Sequence, residues 1–314
     1  MFINPVQAEE PATSATPLTL DEHGFVGTLF VPEGHASSIA IMVLGGSEGG
    51  TPAQRGRAVA ESGYPTVALA YFDEPGLPSH LDMVPLEPAR DAIRWLREYV
   101  LGDEGRVVLI GGSKGAELAL LLGSLDPAVG GVVAYAPSHV VFQGIPEDFW
   151  PPRSSWAYEG QPVPFVPFVP FVPYKYGPHF NPFAEEPEFL ALYRESLTQD
   201  PFVEQAAIKV ENINGPVLLF SGRRDRMWPA TDMANQIIER LKAHEHPHLH
   251  EHHAYEEAGH IIHEHAGEWS TRFGGTVEAN RQAGEDARQR TLNVFSALAN
   301  SHPTNSGEHD EPGH

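Results

Sequence analysis

A serine stands between glycines in Gly111-Gly-Ser113-Lys-Gly115, and an apolar run lies on either side of it. Val107 to Ile110 are β-branched or aliphatic and predict a buried strand, while Ala116 to Leu122 favour helix and are too uniformly apolar for a surface helix. Ser113 therefore falls on the turn between them. Small residues at 111 and 115 let strand and helix approach closely, so that a strained turn lifts the hydroxyl clear of the sheet. G-x-S-x-G in that strand–turn–helix setting is the arrangement of a nucleophile for acyl transfer. The plainer alternative is a glycine-rich loop with no chemistry of its own.

A serine of this kind needs an oxyanion site, a base and an acid, and the chain offers each. Gly45-Gly-Ser-Glu-Gly-Gly50 follows the apolar run Ser38 to Leu44, where backbone N–H groups can face a substrate without side chains intervening. The expected donors are the N–H of Gly46 or Ser47 together with that of Lys114. A phosphate-binding loop is the competing reading, but no G-x-x-x-x-G-K-[ST] is present. The acid is expected at Asp225, just past the apolar run Pro216 to Gly222. Asp232 is its rival, although an acidic residue in a helix's first turn is accounted for by the helix dipole. The base is expected at His260, which a small residue and a glycine precede, with His263 and His265 as runners-up. The chain order is then Ser, Asp, His. Lys114 and Glu117 either contact substrate or form an exposed i, i+3 pair.

The elements that must hold these residues alternate. Strands are expected at Gly24 to Val31 (the edge of an entry hairpin), Ser38 to Leu44, Pro65 to Tyr71, Val107 to Ile110, Gly131 to Tyr135 and Pro216 to Gly222. Helices are expected at Gln54 to Ser62, Leu86 to Tyr99, Thr231 to His244 and Arg281 to Ala299. This pattern predicts an α/β-hydrolase fold, a mostly parallel sheet with helices on both faces, in one domain over 18–299. The polar segments 1–17 and 300–314 are expected to be disordered. The 41% hydrophobic content of the 314 residues is ample for a core of that size.

The alternation stops over about 139–214, which reads as a lid insertion. Pro162 to Pro173 repeats Pro-Phe-Val, and a polyproline II helix with three residues per turn would line up Phe165, Phe168 and Phe171 on one edge. With Trp156, that ridge is expected to cover the substrate pocket; a low-complexity spacer is the alternative. One or two helices are expected in Pro187 to Ala207. His244 to His253 is rich in histidine, but no second ligand cluster accompanies it, and no metal or organic cofactor is expected.

Composition narrows the partners. A formal charge of −22 repels nucleic acid and anionic membranes, and the lysine-poor acidic surface suggests adaptation to high salt. There is no cysteine, so a cysteine nucleophile and thiolate metal sites are excluded. No apolar run is long enough to span a bilayer and Met1 to Pro17 lacks the features of a leader, so a soluble, cytoplasmic protein is expected. Composition leaves the oligomeric state open.

Several segments together resemble the catalytic domain shared by acyl-CoA thioester hydrolases and bile-acid-CoA:amino-acid N-acyltransferases. They are Gly-Gly-Ser-Glu-Gly-Gly at 45–50, Ala-Leu-Ala-Tyr-Phe at 68–72, Pro-Gly-Leu-Pro at 75–78, Val-Pro-Leu-Glu at 84–87 and Gly-Gly-Ser-Lys-Gly-Ala-Glu-Leu at 111–118. Ser-Ser-Trp at 154–156, Ser-Gly-x-x-Asp-x-x-Trp-Pro at 221–229, Ala-Gly-His at 258–260 and Gly-Gly-Thr at 274–276 continue the series. The resemblance implies nucleophile, acid and base at Ser113, Asp225 and His260. Full-length thioesterases of the family carry an N-terminal β-sandwich domain, whereas some 38 residues precede the first core strand here. The amidating members use cysteine as nucleophile, which the serine at 113 disfavours. The expected substrate is a small molecule, an acyl thioester or ester, with acyl-chain length left open and a general carboxylesterase or dienelactone-type hydrolase as the alternative. A non-catalytic module binding a metal or a partner is the reading from another class.

Overall fold

Eight strands form one sheet in the computed structural model, which describes residues 13–34, 37–102, 105–147, 151–169 and 189–301. They are β1 (Thr13–Leu18), β2 (Val26–Pro32), β3 (Ile39–Leu44), β4 (Thr66–Ala70), β5 (Arg106–Gly112), β6 (Val129–Tyr135), β7 (Val217–Gly222) and β8 (His250–Tyr255). The order across the sheet is β1-β2-β4-β3-β5-β6-β7-β8. From β4 to β8 neighbouring strands are parallel, and β2 joins both β1 and β4 antiparallel. All residues of β3, β4 and β7 are buried, as strands covered on both faces must be.

Among the described residues, the α-helices of seven or more residues are α1 (Ala53–Ala60), α2 (Glu87–Trp95), α3 (Lys114–Leu125), α4 (Leu190–Ser196), α5 (Asp200–Ala206), α6 (Ala230–Ala243) and α7 (Val277–Ser301). Strand alternation divides the core. Ala40, Met42 and Leu109 pack with residues of α2, α3 and α6. Ile41, Val43 and Val108 point the other way, toward Ala283, Ala287 and Phe295 of α7, with Val59 of α1 alongside. Ten consecutive residues of α3, Lys114 to Gly123, are buried, which explains a helix with no polar face. Among the described residues, no helix is long and apolar enough to cross a membrane.

The structure departs from the sequence expectation at both ends and at β2. Thr13 to Pro17, expected to be disordered, belong to β1, because an edge strand needs backbone pairing rather than an apolar composition. That pairing places β2 inside the sheet, where the sequence predicts an edge. Asn300 and Ser301 extend α7 instead of beginning a tail. The 139–214 segment contributes α4, α5 and two strands of a small three-stranded sheet, whose third strand, Val84–Pro85, pairs with Trp156–Ala157.

Candidate active site

Ser113 sits at φ 55° and ψ −121°, a region that a non-glycine residue enters only when its surroundings over-determine it. Packing supplies the constraint. A Cβ on Gly115 would lie 2.0 Å from the Gly45 carbonyl oxygen, and one on Gly111 would lie 2.0 Å from the Gly115 oxygen. Helix α3 thus rests directly on the ends of β3 and β5, and the chain can pass between them only through a kink at Ser113. The Ser113 N–H donates to Tyr135 O at 2.9 Å, and the Ser113 carbonyl accepts from the N–H groups of Ala116 and Glu117. Lys114 opens α3, so its N–H has no acceptor within the helix and lies at the positive end of the dipole.

Asp225 follows β7 in a turn. Its Oδ1 accepts from the N–H groups of Met227 at 2.7 Å and Trp228 at 3.2 Å, and its Oδ2 lies 2.8 Å from His260 Nδ1. Both side chains are almost wholly buried, at 3% and 4% exposure. An ionised carboxylate only accepts, so Nδ1 is the donor and Nε2 is left with its lone pair. The rings of Trp228 and Phe273 stand edge-on to the imidazole at 5.9 and 6.3 Å, which limits its rotation. The rival Asp232 is at the surface, 3.7 Å from Arg194.

Ser113 and His260 border one cavity of about 510 Å3, together with Gly46 and Ser47. The structure therefore brings the expected nucleophile, base and glycine-rich turn to a single space, with Asp225 behind the base. His263 also lines this cavity but faces Glu264 at 3.9 Å rather than Asp225.

The Lys114 side chain points elsewhere. Its Nζ lies 2.8 and 2.9 Å from the two Glu117 oxygens, and Glu117 Oε1 accepts from Trp156 Nε1 at 2.8 Å. Lys114 and Glu117 do form an i, i+3 pair, but at 2% and 0% exposure it is a core pair and neither side chain lines the cavity. Burial lowers the Lys114 pKa and raises that of Glu117, and in each case the partner's charge opposes the shift.

The expected substrate-facing aromatics are placed differently. Trp156 is fully buried between Tyr71 and Glu117. Phe165 packs against the same core as α2 and α3, and Phe168 stands edge-on to Tyr193 at 5.3 Å. None of the three lines the cavity, because each packs into the protein body instead, Trp156 fully and Phe165 and Phe168 in part. Phe171 lies outside the described residues.

Tyr71, just past β4, lies in the Ala-Leu-Ala-Tyr-Phe segment of the family resemblance but is not among the expected site residues. Its buried hydroxyl lies 2.8 Å from Gly45 O and 2.6 Å from Gly46 O, so it donates to the turn that borders the cavity. Burial, with Glu48 and Glu117 nearby, raises its pKa well above the usual phenol range and keeps that donor protonated. The sequence signals available for it are that segment and its place directly after a buried strand, and neither specifies a role for the hydroxyl.

The histidine-rich segment is engaged in ordinary contacts. His252 lies 2.8 Å from Ser221 Oγ and 3.0 Å from Asn235 Oδ1, and His253 lies 2.9 Å from Glu251 Oε2. Among the described residues, no three His, Asp or Glu side chains group as a metal site.

Comparison with solved structures shows the α/β-hydrolase fold. A putative dienelactone hydrolase from Klebsiella pneumoniae superposes with a TM-score of 0.55 at 17% identity, covering 91% of this chain and 99% of its own. An esterase from Pyrococcus furiosus gives a TM-score of 0.55 at 17% identity, covering 92% of both. In sequence, the chain is 29% identical over 238 residues to acyl-coenzyme A thioesterase 1 of Rattus norvegicus, which is 75% of this chain and 51% of that protein. Acyl-coenzyme A thioesterase 5 of Mus musculus is 27% identical over 295 residues, 85% of this chain and 62% of its own. The chain thus spans about half the length of the thioesterases it first matches. The family model described as BAAT / acyl-CoA thioester hydrolase C terminal matches residues 84–300, from just before α2 to the end of α7, and the chain belongs to that family.

Proposed function

We propose that this chain hydrolyses acyl thioesters through Ser113, with His260 as general base and Asp225 orienting it. Ser113 Oγ attacks the acyl carbonyl while His260 Nε2 takes its proton, and the tetrahedral oxyanion is held by the N–H of Lys114 and one from Gly46 or Ser47. The carbon–sulfur bond then breaks, His260 returns the proton to the leaving thiolate, and an acyl-serine remains. Water repeats the sequence: His260 takes its proton, hydroxide adds to the acyl carbon, and Ser113 Oγ leaves with the proton that His260 gives back. No step needs a redox partner. The observation that carries this reading is the 2.8 Å pairing of His260 Nδ1 with Asp225 Oδ2 beside a cavity that Ser113 and His260 share.

The test is hydrolysis of palmitoyl-CoA, acetyl-CoA, p-nitrophenyl butyrate and a dienelactone by the wild type and Ser113→Ala. Turnover of the CoA thioesters that is lost in the variant is expected. Turnover of oxygen esters alone would make the protein a carboxylesterase, and turnover independent of Ser113 would overturn the mechanism.

A further inference from the structure

Among the described residues, none between 139 and 214 lines the cavity that begins at Ser113. It runs down one face of the sheet, between α1 and α7. Val43, Ile110 and Tyr135 form its floor at the ends of β3, β5 and β6, Val59 lines the α1 side, and Leu292 and Phe295 line the α7 side. These side chains belong to the apolar cluster on the α7 face, whereas Trp156 and Phe165 belong to the cluster on the opposite face.

The cavity has direction and depth. Helix α7 lines it from Arg288 to Phe295, about 10 Å of helix at 1.5 Å per residue. Phe295 stands edge-on to Tyr64 at 5.3 Å, and Tyr64 lies just before β4, at the sheet edge opposite the strand ends that carry Ser113. Arg288 Nη2 donates to Ser62 Oγ, in the turn after α1, at 3.2 Å. The lining is mostly apolar, with Glu48, Arg55, His263, Glu264 and Arg288 among its charged or titratable side chains, and its apolar stretch with the nucleophile at one end matches an unbranched hydrocarbon.

We propose that the cleft between α1 and α7 receives the acyl chain, with the scissile carbonyl at Ser113 and the methyl end toward Phe295. The acyl chain then lies on the α7 face, away from Trp156 and Phe165. This inference rests on the serine-hydrolase reading above.

The test uses alkyl fluorophosphonates of increasing chain length, with labelling of Ser113 in the intact protein followed by mass spectrometry. In the wild type the labelling rate should rise up to about fourfold per added methylene until the cleft is full. Leu292→Trp on α7 and Val59→Trp beside α1 fill the cleft from opposite walls, so one remains informative if the other fails to fold. Each should cut labelling by the long-chain probe at least about tenfold more than labelling by the short-chain probe. Phe165→Ala, on the insertion side, should keep the chain-length preference. A preference that survives both tryptophans, or that Phe165→Ala abolishes, overturns the cleft assignment alone. If no probe labels Ser113 in the wild type, the hydrolase reading falls and this inference with it.

Discussion

The indole nitrogen of Trp156 lies 2.8 Å from Glu117 Oε1, so the insertion is tied to the helix that begins at Ser113. The carboxylate it reaches also holds the Lys114 ammonium, and all three side chains are buried.

Breaking this pair from one side leaves an uncompensated charge in the core. Lys114→Met and Glu117→Gln should each lower unfolding stability by about 3–5 kcal/mol. The double variant should cost less than the sum of the two, because the lone charge is then gone. Urea unfolding of the four proteins checks this; additive losses would mean that the two groups do not act as a pair.

Asp225→Asn preserves shape but lets an amide face His260 Nδ1, so the wrong tautomer or ring orientation is favoured. By comparison with serine triads elsewhere, kcat should fall about 10^4-fold. Circular dichroism should remain native. Asp232→Asn, at a surface position, should leave kcat within about twofold.

Tyr71→Phe removes the donor that holds the Gly45–Gly46 turn. If the turn's N–H groups serve the oxyanion, kcat should drop about tenfold or more while KM changes little, as happens when a transition-state contact is lost. A loss confined to stability, of about 1–3 kcal/mol for unsatisfied buried carbonyls, would assign Tyr71 a structural role only.

Burial pushes the His252 imidazole down to about 4, with the nearby charges of His253 and Arg223 adding to the effect. The ordinary histidine pKa is about 6.5. Between these values the unfolded chain binds more protons than the folded one, so this stability is complete above about pH 6.5 and is lost as pH falls toward 4. Burial lowers His139 to about 4 as well, with the same sign. The melting temperature should therefore fall between neutral pH and about pH 5, and His252→Gln should make that dependence shallower. An unchanged slope would move the effect to other groups.

The sequence by itself determined the parts that local chemistry specifies. Continuous apolar runs became β3, β4, β5 and β7, because a strand covered on both faces has no polar side to display. The elbow was legible for the same reason: glycines at 111 and 115 flank a serine at a strand-to-helix junction, and close approach at such a junction admits few other residues. Asp225 and His260 stood out as candidates from their places after the strands. Their pairing did not, since it joins residues 35 positions apart through a turn and a loop.

Only the tertiary structure decided which way the remaining side chains face. Thr13 to Pro17 have a disordered composition, yet they pair with β2 through backbone groups that composition does not report. Trp156 and the Lys114–Glu117 pair read as surface or pocket residues until long-range packing sealed them in the core. A three-residue repeat can align Phe165 and Phe168 on one edge, but the surface that edge meets depends on distant elements, here the α2 and α3 core for one ring and Tyr193 for the other. The cleft between α1 and α7 exists because helices more than two hundred residues apart in sequence flank one face of the sheet, and no local pattern records that separation.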